Sequence, residues 1–286
     1  MNLPNLFQLQ QKARALRATC IQLAHDGREG HLNGALSSVD LMSALYAGWL
    51  RISPEKPMDE GRDRFIFSKG HACTSLYAVL ADRGFISMEM LRQYARDQTP
   101  LPSHPCIHAL PLLDCSSGSL GHGLGVAAGR SYGLRLKNSP ARVAVLLGDG
   151  ECNEGSTWEA AMFAAANKLD NLLAIVDYNG IQSVGRTDPL NGFTSYADKF
   201  RAFGWAVRTI DGHDYGEILS ALAAFPLAIG KPSVIIARST AGRGVSFMED
   251  QVLWHYRVPS DADLQRALQE LDAQPIHLQL PVEAAR

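Results

Sequence analysis

The chain lacks any excess of basic charge: 27 lysines and arginines face 29 aspartates and glutamates, for a net charge of −2. That removes the electrostatic footprint of a nucleic-acid binder. It also lacks a cysteine framework. Cys20, Cys73, Cys106, Cys115 and Cys152 are odd in number and never fall in a CxxC spacing. Such usage argues against a disulfide scaffold or structural zinc and for a reducing, cytoplasmic setting. No apolar run approaches the roughly 20 residues of a membrane span. The first residues lack the apolar centre of a signal peptide, and there is no internal repeat or low-complexity tract.

What is present is 286 residues with 46% hydrophobic content, enough for a substantial core. Its organising stretch is 148–181. Val143–Leu147 is a strand-like run ending in Gly148-Asp149-Gly150, and Leu172–Val176 is another, ending in Asp177-Tyr178-Asn179. An Ala-rich helical segment, Ser156–Leu169, joins them. Strand, helix and strand at this spacing read as a βαβ unit with parallel strands. Both polar ends then emerge at the carboxyl edge of one sheet, where open α/β sheets bind ligands. Asp149 offers a carboxylate, Asn179 an amide oxygen, and the turn after it a backbone carbonyl, that of Ile181. This oxygen set suits Mg²⁺, which takes few protein ligands and completes its octahedron with phosphate oxygens and water. Gly150 lets the backbone approach a phosphate. A lone Gly-Asp-Gly is ordinarily a tight turn; the second oxygen ligand at the end of the next strand shifts the reading towards a metal-bound diphosphate.

Further helices are expected at Leu6–His25, Ser38–Leu50, Phe85–Arg96, Val126–Leu136, Ser195–Phe203, Tyr215–Phe225 and Asp261–Leu271, and strands at Arg64–Ser68, Gly204–Ile210 and Ser233–Ala237. Lys69-Gly70-His71 opens a helix reaching Arg83, so His71 stands at a helix N-terminus, either as part of a plain cap or as an anion site. Residues 28–35 and 182–194 read as loops, and Asp272–Arg286 as a loose tail. His31 lies in the first loop, ordinarily a surface position. His104, between Ser103 and Pro105, has an extended and fixed backbone. Gly123–Ala128 matches a GxGxxA nucleotide fingerprint, but no apolar strand precedes it, so the context for a dinucleotide site fails. Glu154, near the start of a helix apolar almost all round, would by itself complement the helix N-terminus, worth roughly 0.3–1 kcal/mol.

Gly148-Asp149-Gly150 followed at this distance by Asp177-Tyr178-Asn179 resembles the thiamine diphosphate signature, and the surrounding residues resemble transketolase, from about Gln8 to about Pro259. The resemblance covers only that family's diphosphate-binding domain, so the implied fold is α/β, a parallel sheet flanked by helices, with residues 1–258 as the diphosphate domain and 259–286 as a terminal helix and tail. It implies thiamine diphosphate with Mg²⁺, or Ca²⁺ or Mn²⁺ in its place, the metal held by Asp149, Asn179 and Ile181. His71, Gly118, Leu120, Gly150, Glu154, Asn179, Ile181 and His255 would meet the cofactor or support its site, with the Gly118 carbonyl on the cofactor's 4′-amino group and Glu154 in a link between active sites at the subunit interface. His31, His71, His104 and His255 would carry the chemistry: His71 and His255 neutralising diphosphate and substrate, His31 and His104 moving protons at sugar hydroxyls. His213, in a strand-end Asp-Gly-His, is expected to be structural.

The implied reaction is transfer of a two-carbon ketol unit from a ketose to an aldose, phosphorylated, plain or sulfonated. The domain that binds the aminopyrimidine and supplies the activating glutamate is missing, which implies a separate C-terminal subunit as partner, in a heterotetramer. Competing readings are another thiamine enzyme subunit, from a 2-oxoacid dehydrogenase or a deoxyxylulose-phosphate synthase, and a non-catalytic binding subunit.

Overall fold

A computed structural model describes residues 5–273. The expected tail therefore lies outside the described residues, except for Asp272 and Ala273, which finish the last helix. In chain order the elements are α1 (Leu6–Gly27), α2 (Leu32–Ala44), β1 (Arg64–Phe67), α3 (Cys73–Asp82), α4 (Met88–Leu91), α5 (Gly123–Leu136), β2 (Val143–Gly148), α6 (Gly155–Ala166), β3 (Leu172–Tyr178), β4 (Ile181–Gln182), β5 (Gly185–Arg186), α7 (Thr187–Leu190), α8 (Tyr196–Ala202), β6 (Ala206–Asp211), α9 (Tyr215–Ala223), β7 (Ser233–Arg238) and α10 (Asp261–Ala273).

Five strands form one sheet in the order β1-β2-β3-β7-β6, every neighbouring pair parallel. The central strands are apolar throughout because both faces are covered. Ala144, Leu146, Leu173, Ile175 and Ile235 join a core with α1, α2, α3 and α9, while Val143, Val145, Leu147, Leu172, Ala174, Val176 and Val234 join a second core with α5, α6 and α8. The alternation is the two-residue period of a strand buried on both sides. Leu264, Ala267 and Leu271 seat α10 in the first core. The register pairs Gly148 with Asp177 and Tyr178 with Arg238, so the residues that follow these strands leave the sheet at the same edge.

Several expectations are revised. The segment 28–35 is not all loop: α2 starts at Leu32 because His31, at φ 63°, turns the chain sharply, and the first turn from Leu32 to Leu36 is buried. That helix loosens into a wider turn over Leu45–Trp49, broken at Gly48. The expected helix Phe85–Arg96 shrinks to α4: beyond Leu91 the Gln93 and Tyr94 N–H groups bond three residues back (3.0 and 3.1 Å), and Ala95, at φ 52°, donates to the Leu101 carbonyl (3.0 Å) instead of continuing the helix. The 182–194 loop holds a small hairpin, β4 with β5, followed by α7. The segment Gly123–Ala128 begins α5, with an irregular loop before it, so the nucleotide fingerprint is helix packing: a Cβ on Gly123 would collide with the Ser68 side chain.

Candidate active site at the carboxyl edge of the sheet

Asp149 and Asn179 meet where β2 and β3 end. Asp149 is 3% exposed. Its carboxylate accepts from the Gly150 N–H (2.9 Å), the Gly180 N–H (2.9 Å) and the Thr187 hydroxyl (2.7 Å). The hairpin after β3 thus folds back to cover it, and Tyr196 donates to its backbone carbonyl at 2.8 Å. Burial pushes its carboxyl up to about 6, with the nearby Asp177 adding repulsion against the hydrogen bond from Thr187. Asn179 accepts from the Ile181 N–H through Oδ1 (3.0 Å) and donates through Nδ2 to Ser37 (3.2 Å). Ile181 follows as the first residue of the hairpin. The Gly150 N–H serves Asp149, and the Gln182 side chain lies where a Cβ on Gly150 would sit.

Three of the four histidines cluster above this edge. His31 precedes α2, His71 lies in the tight turn Gly70–Ala72, and His255 ends the turn Val252–His255. Their rings stand 5.5 Å (His31 to His71), 5.5 Å (His31 to His255) and 5.9 Å (His71 to His255) apart, with Tyr256 against His31 at 4.8 Å. The His31 N–H donates to the His255 carbonyl at 2.9 Å, tying two loops together. His104 is exposed beside them, and a Cβ on Gly118 would lie 2.9 Å from its ring. Gly118 (φ 142°) and Gly70 approach so closely that a Cβ on Gly70 would lie 2.6 Å from the Gly118 nitrogen. Only glycine permits both the backbone angle and the contact.

His71 and His255, expected to face diphosphate and substrate, both have lowered values in the chain by itself. Burial holds His71 well below the ordinary imidazole value, with Lys69, His31, His255 and His104 adding repulsion. His255 is held down to about 4 by burial, then by His31 and Lys69. Burial and His104 lower His31. At neutral pH these three are uncharged imidazoles, each able to donate and accept a hydrogen bond.

Two buried groups escaped the sequence reading. Glu151, 1% exposed, accepts from Ser68, the Gly121 N–H (2.9 Å) and the Gly148 N–H (3.2 Å), which fastens the 117–121 loop to the end of β2. Lys69, 1% exposed, pairs with Asp177 and donates to the Gly34 carbonyl at 2.9 Å. Neither had a sequence signal beyond lying beside a glycine word; charges this deep are seen only when their partners are.

The family model of the transketolase thiamine diphosphate-binding domain matches residues 8–279. The chain belongs to the transketolase family. It is 38% identical to the 6-deoxy-6-sulfo-D-fructose transketolase subunit of Clostridium sp. (strain MSTE9), covering 93% of this chain and 97% of that one. It is 35% identical to an apulose-4-phosphate transketolase subunit of Phocaeicola vulgatus, covering 92% and 93%. The transketolase of Campylobacter jejuni superimposes with a TM-score of 0.85 at 30% identity over 98% of this chain, which spans 45% of that enzyme. The resemblance read from the sequence and the parallel-sheet fold are both borne out, as is the expectation of a ketol-transferase subunit.

Within that transketolase frame, Glu154 precedes α6, exposed and without a capping hydrogen bond. Leu120 is half-buried. His213 is structural as expected: its Nδ1 donates to the buried Asp40 (2.7 Å) and its Nε2 accepts from the Thr240 N–H (2.8 Å).

Proposed function

We propose that this chain is the diphosphate-binding half of a two-chain transketolase that moves a two-carbon ketol unit from a ketose to an aldose. The observation that carries the reading is the convergence, at one sheet edge, of Asp149 and Asn179 with the cluster of His31, His71 and His255.

The donor set fits the implied groups. Asp149, Asn179 and the Ile181 carbonyl would hold Mg²⁺, with Ca²⁺ or Mn²⁺ as substitutes, as few protein oxygens beside phosphate oxygens. The Asp149 carboxyl stands at about 6 because neighbouring Lys69 does not offset its burial, and a divalent ion would. In this reading Gly150 and His71 would meet the diphosphate, Gly118 and Leu120 the cofactor's rings, and the exposed Glu154 would face a second subunit. Thiamine diphosphate, when bound, supplies the electron sink for carbon–carbon cleavage.

The chain's own part is orientation and proton traffic. His31, His104 and His255 would hydrogen-bond sugar hydroxyls, and an uncharged imidazole can take a hydroxyl proton at neutral pH. The relatives of equal length are named for a sulfo-sugar and a sugar phosphate. An anionic sugar is therefore our proposed substrate class, its far end gripped by the partner. That partner is a C-terminal subunit with the pyrimidine-binding domain, assembled as a heterotetramer in the cytoplasm.

The test is to copurify the chain with its partner and follow ketol transfer from a ketose to an aldose, with and without thiamine diphosphate and Mg²⁺. Turnover that needs both supports the reading. Turnover of pyruvate instead of ketose, or indifference to the cofactor, overturns it.

A further inference from the structure

Asn179 is a metal ligand only if its amide presents oxygen, not nitrogen, to the cation. An Asn side chain has both ends, nearly equal in shape, and its neighbours decide which way it faces. Three buried residues make that decision here. The Ser37 hydroxyl donates to Asp177 Oδ2 at 2.6 Å. Its one proton is then committed, so towards Asn179 it can only accept, and the Asn179 Nδ2 donates to it at 3.2 Å. The amide oxygen must face the other way, where it takes one hydrogen bond, from the Ile181 N–H at 3.0 Å, and keeps its second lone pair.

Ser37 has two acceptors within reach, Asp177 at 2.6 Å and the Gly34 carbonyl at 3.2 Å, and the nearer, Asp177, holds its proton away from Asn179. Asp177 is fully buried and bonded to Lys69, Ser37 and Ser239. Lys69 completes its own bonding on the Gly34 carbonyl, one turn ahead of Ser37 on α2. A carboxylate beside an ammonium has no proton to offer, so Ser37 cannot reverse.

We infer that Ser37, locked by the Asp177–Lys69 pair, is a positioning residue that holds the Asn179 amide with its oxygen towards the cation. This rests on the metal reading above.

The experiment uses the full chain assembled with its partner subunit, thiamine diphosphate, and Mn²⁺ as a paramagnetic probe titrated by electron paramagnetic resonance. Ser37→Ala and Asp177→Asn are expected to weaken Mn²⁺ binding about tenfold or more, with the melting temperature recorded beside each. In the same variants kcat should return towards the unmodified value at saturating Mg²⁺ while the half-saturating Mg²⁺ rises. Ser239→Ala removes a hydroxyl from the other oxygen of Asp177, outside the chain to Asn179, and should leave Mn²⁺ affinity within about twofold. Unchanged affinity in Ser37→Ala overturns the inference, and so does an equal loss in Ser239→Ala, which would mean general loosening of β3. An unmodified assembly that takes up no Mn²⁺ instead overturns the metal reading itself.

Discussion

The histidine cluster shows what burial does to a titrating side chain, and it makes a prediction that needs no cofactor. His255 has a folded value of about 4 against an ordinary 6.5, so the unfolded chain takes up this proton first as pH falls. Where the unfolded state binds more protons, stability rises with pH, so this group lowers stability as pH drops from about 6.5 to about 4. His255→Asn removes that dependence. Thermal melts of the variant and the unmodified chain across this window should converge or cross towards low pH. A constant difference would mean that His255 titrates normally. At catalysis, alanine at His31, His104 or His255 is expected to lower kcat/KM of the assembled pair by about 10²-fold, the usual scale of a proton-transfer group; full turnover in all three removes them from the proton traffic. The residue types at this site were legible: histidines, aspartate and asparagine beside glycines announce themselves. Their charge states were not, because burial is a property of the packed fold. Glu151 and Lys69 went unread for the same reason, since an acidic or basic residue in sequence carries no sign that it is 1% exposed.

Whole elements were legible where both faces of the sheet are covered, because β2 and β3 then read as unbroken apolar runs. They were not where tertiary contacts override local pattern. In α2 every residue is buried, so it has no amphipathic stripe to mark its start. Beyond α4 the chain tightens into turns and Ala95 bonds to Leu101, where the sequence would extend a helix. The edge strand β1 is held by a device of this hidden kind. Asp63, fully buried just before it, accepts from the backbone N–H groups of Arg51 (2.9 Å) and Arg142 (2.8 Å) and pairs with both guanidinium groups. Arg142 also lies 4.1 Å over the Trp49 ring. Removing one partner of a buried ion pair strands the others and costs about 3–5 kcal/mol. Asp63→Ala should therefore shift chemical unfolding by roughly 3 kcal/mol, with Arg51→Ala much milder because its side chain is 42% exposed. Equal effects would mean that the backbone bonds matter less than the arginines.

At the scale of the molecule, the sheet edge carries the proposed chemistry while the far side of α5 and α6 carries something else. Leu136 is 68% exposed, Met162 58%, Phe163 42% and Tyr132 39%. The Tyr132 and Phe163 ring centroids stand 5.8 Å apart, joining the exposed apolar side chains of the two helices at that point. Gly125, Gly129 and Gly133 leave open space along α5 where side chains would otherwise stand. A glycine inside a helix costs about 1 kcal/mol relative to alanine, and here nothing within the described residues recovers it. Exposed apolar side chains grouped in this way are a feature of surfaces that meet another protein, and the proposed partner subunit is the occupant to test. The patch lies away from the histidines, so its loss should separate assembly from cofactor chemistry. Each central apolar anchor of an interface carries about 2 kcal/mol, so Leu136→Glu combined with Phe163→Glu should weaken assembly on the order of 100-fold or more. Size-exclusion chromatography of the copurified complex would register this as a smaller species, with far-ultraviolet circular dichroism of the chain unchanged. An assembly of undiminished size would place the subunit contacts on another face.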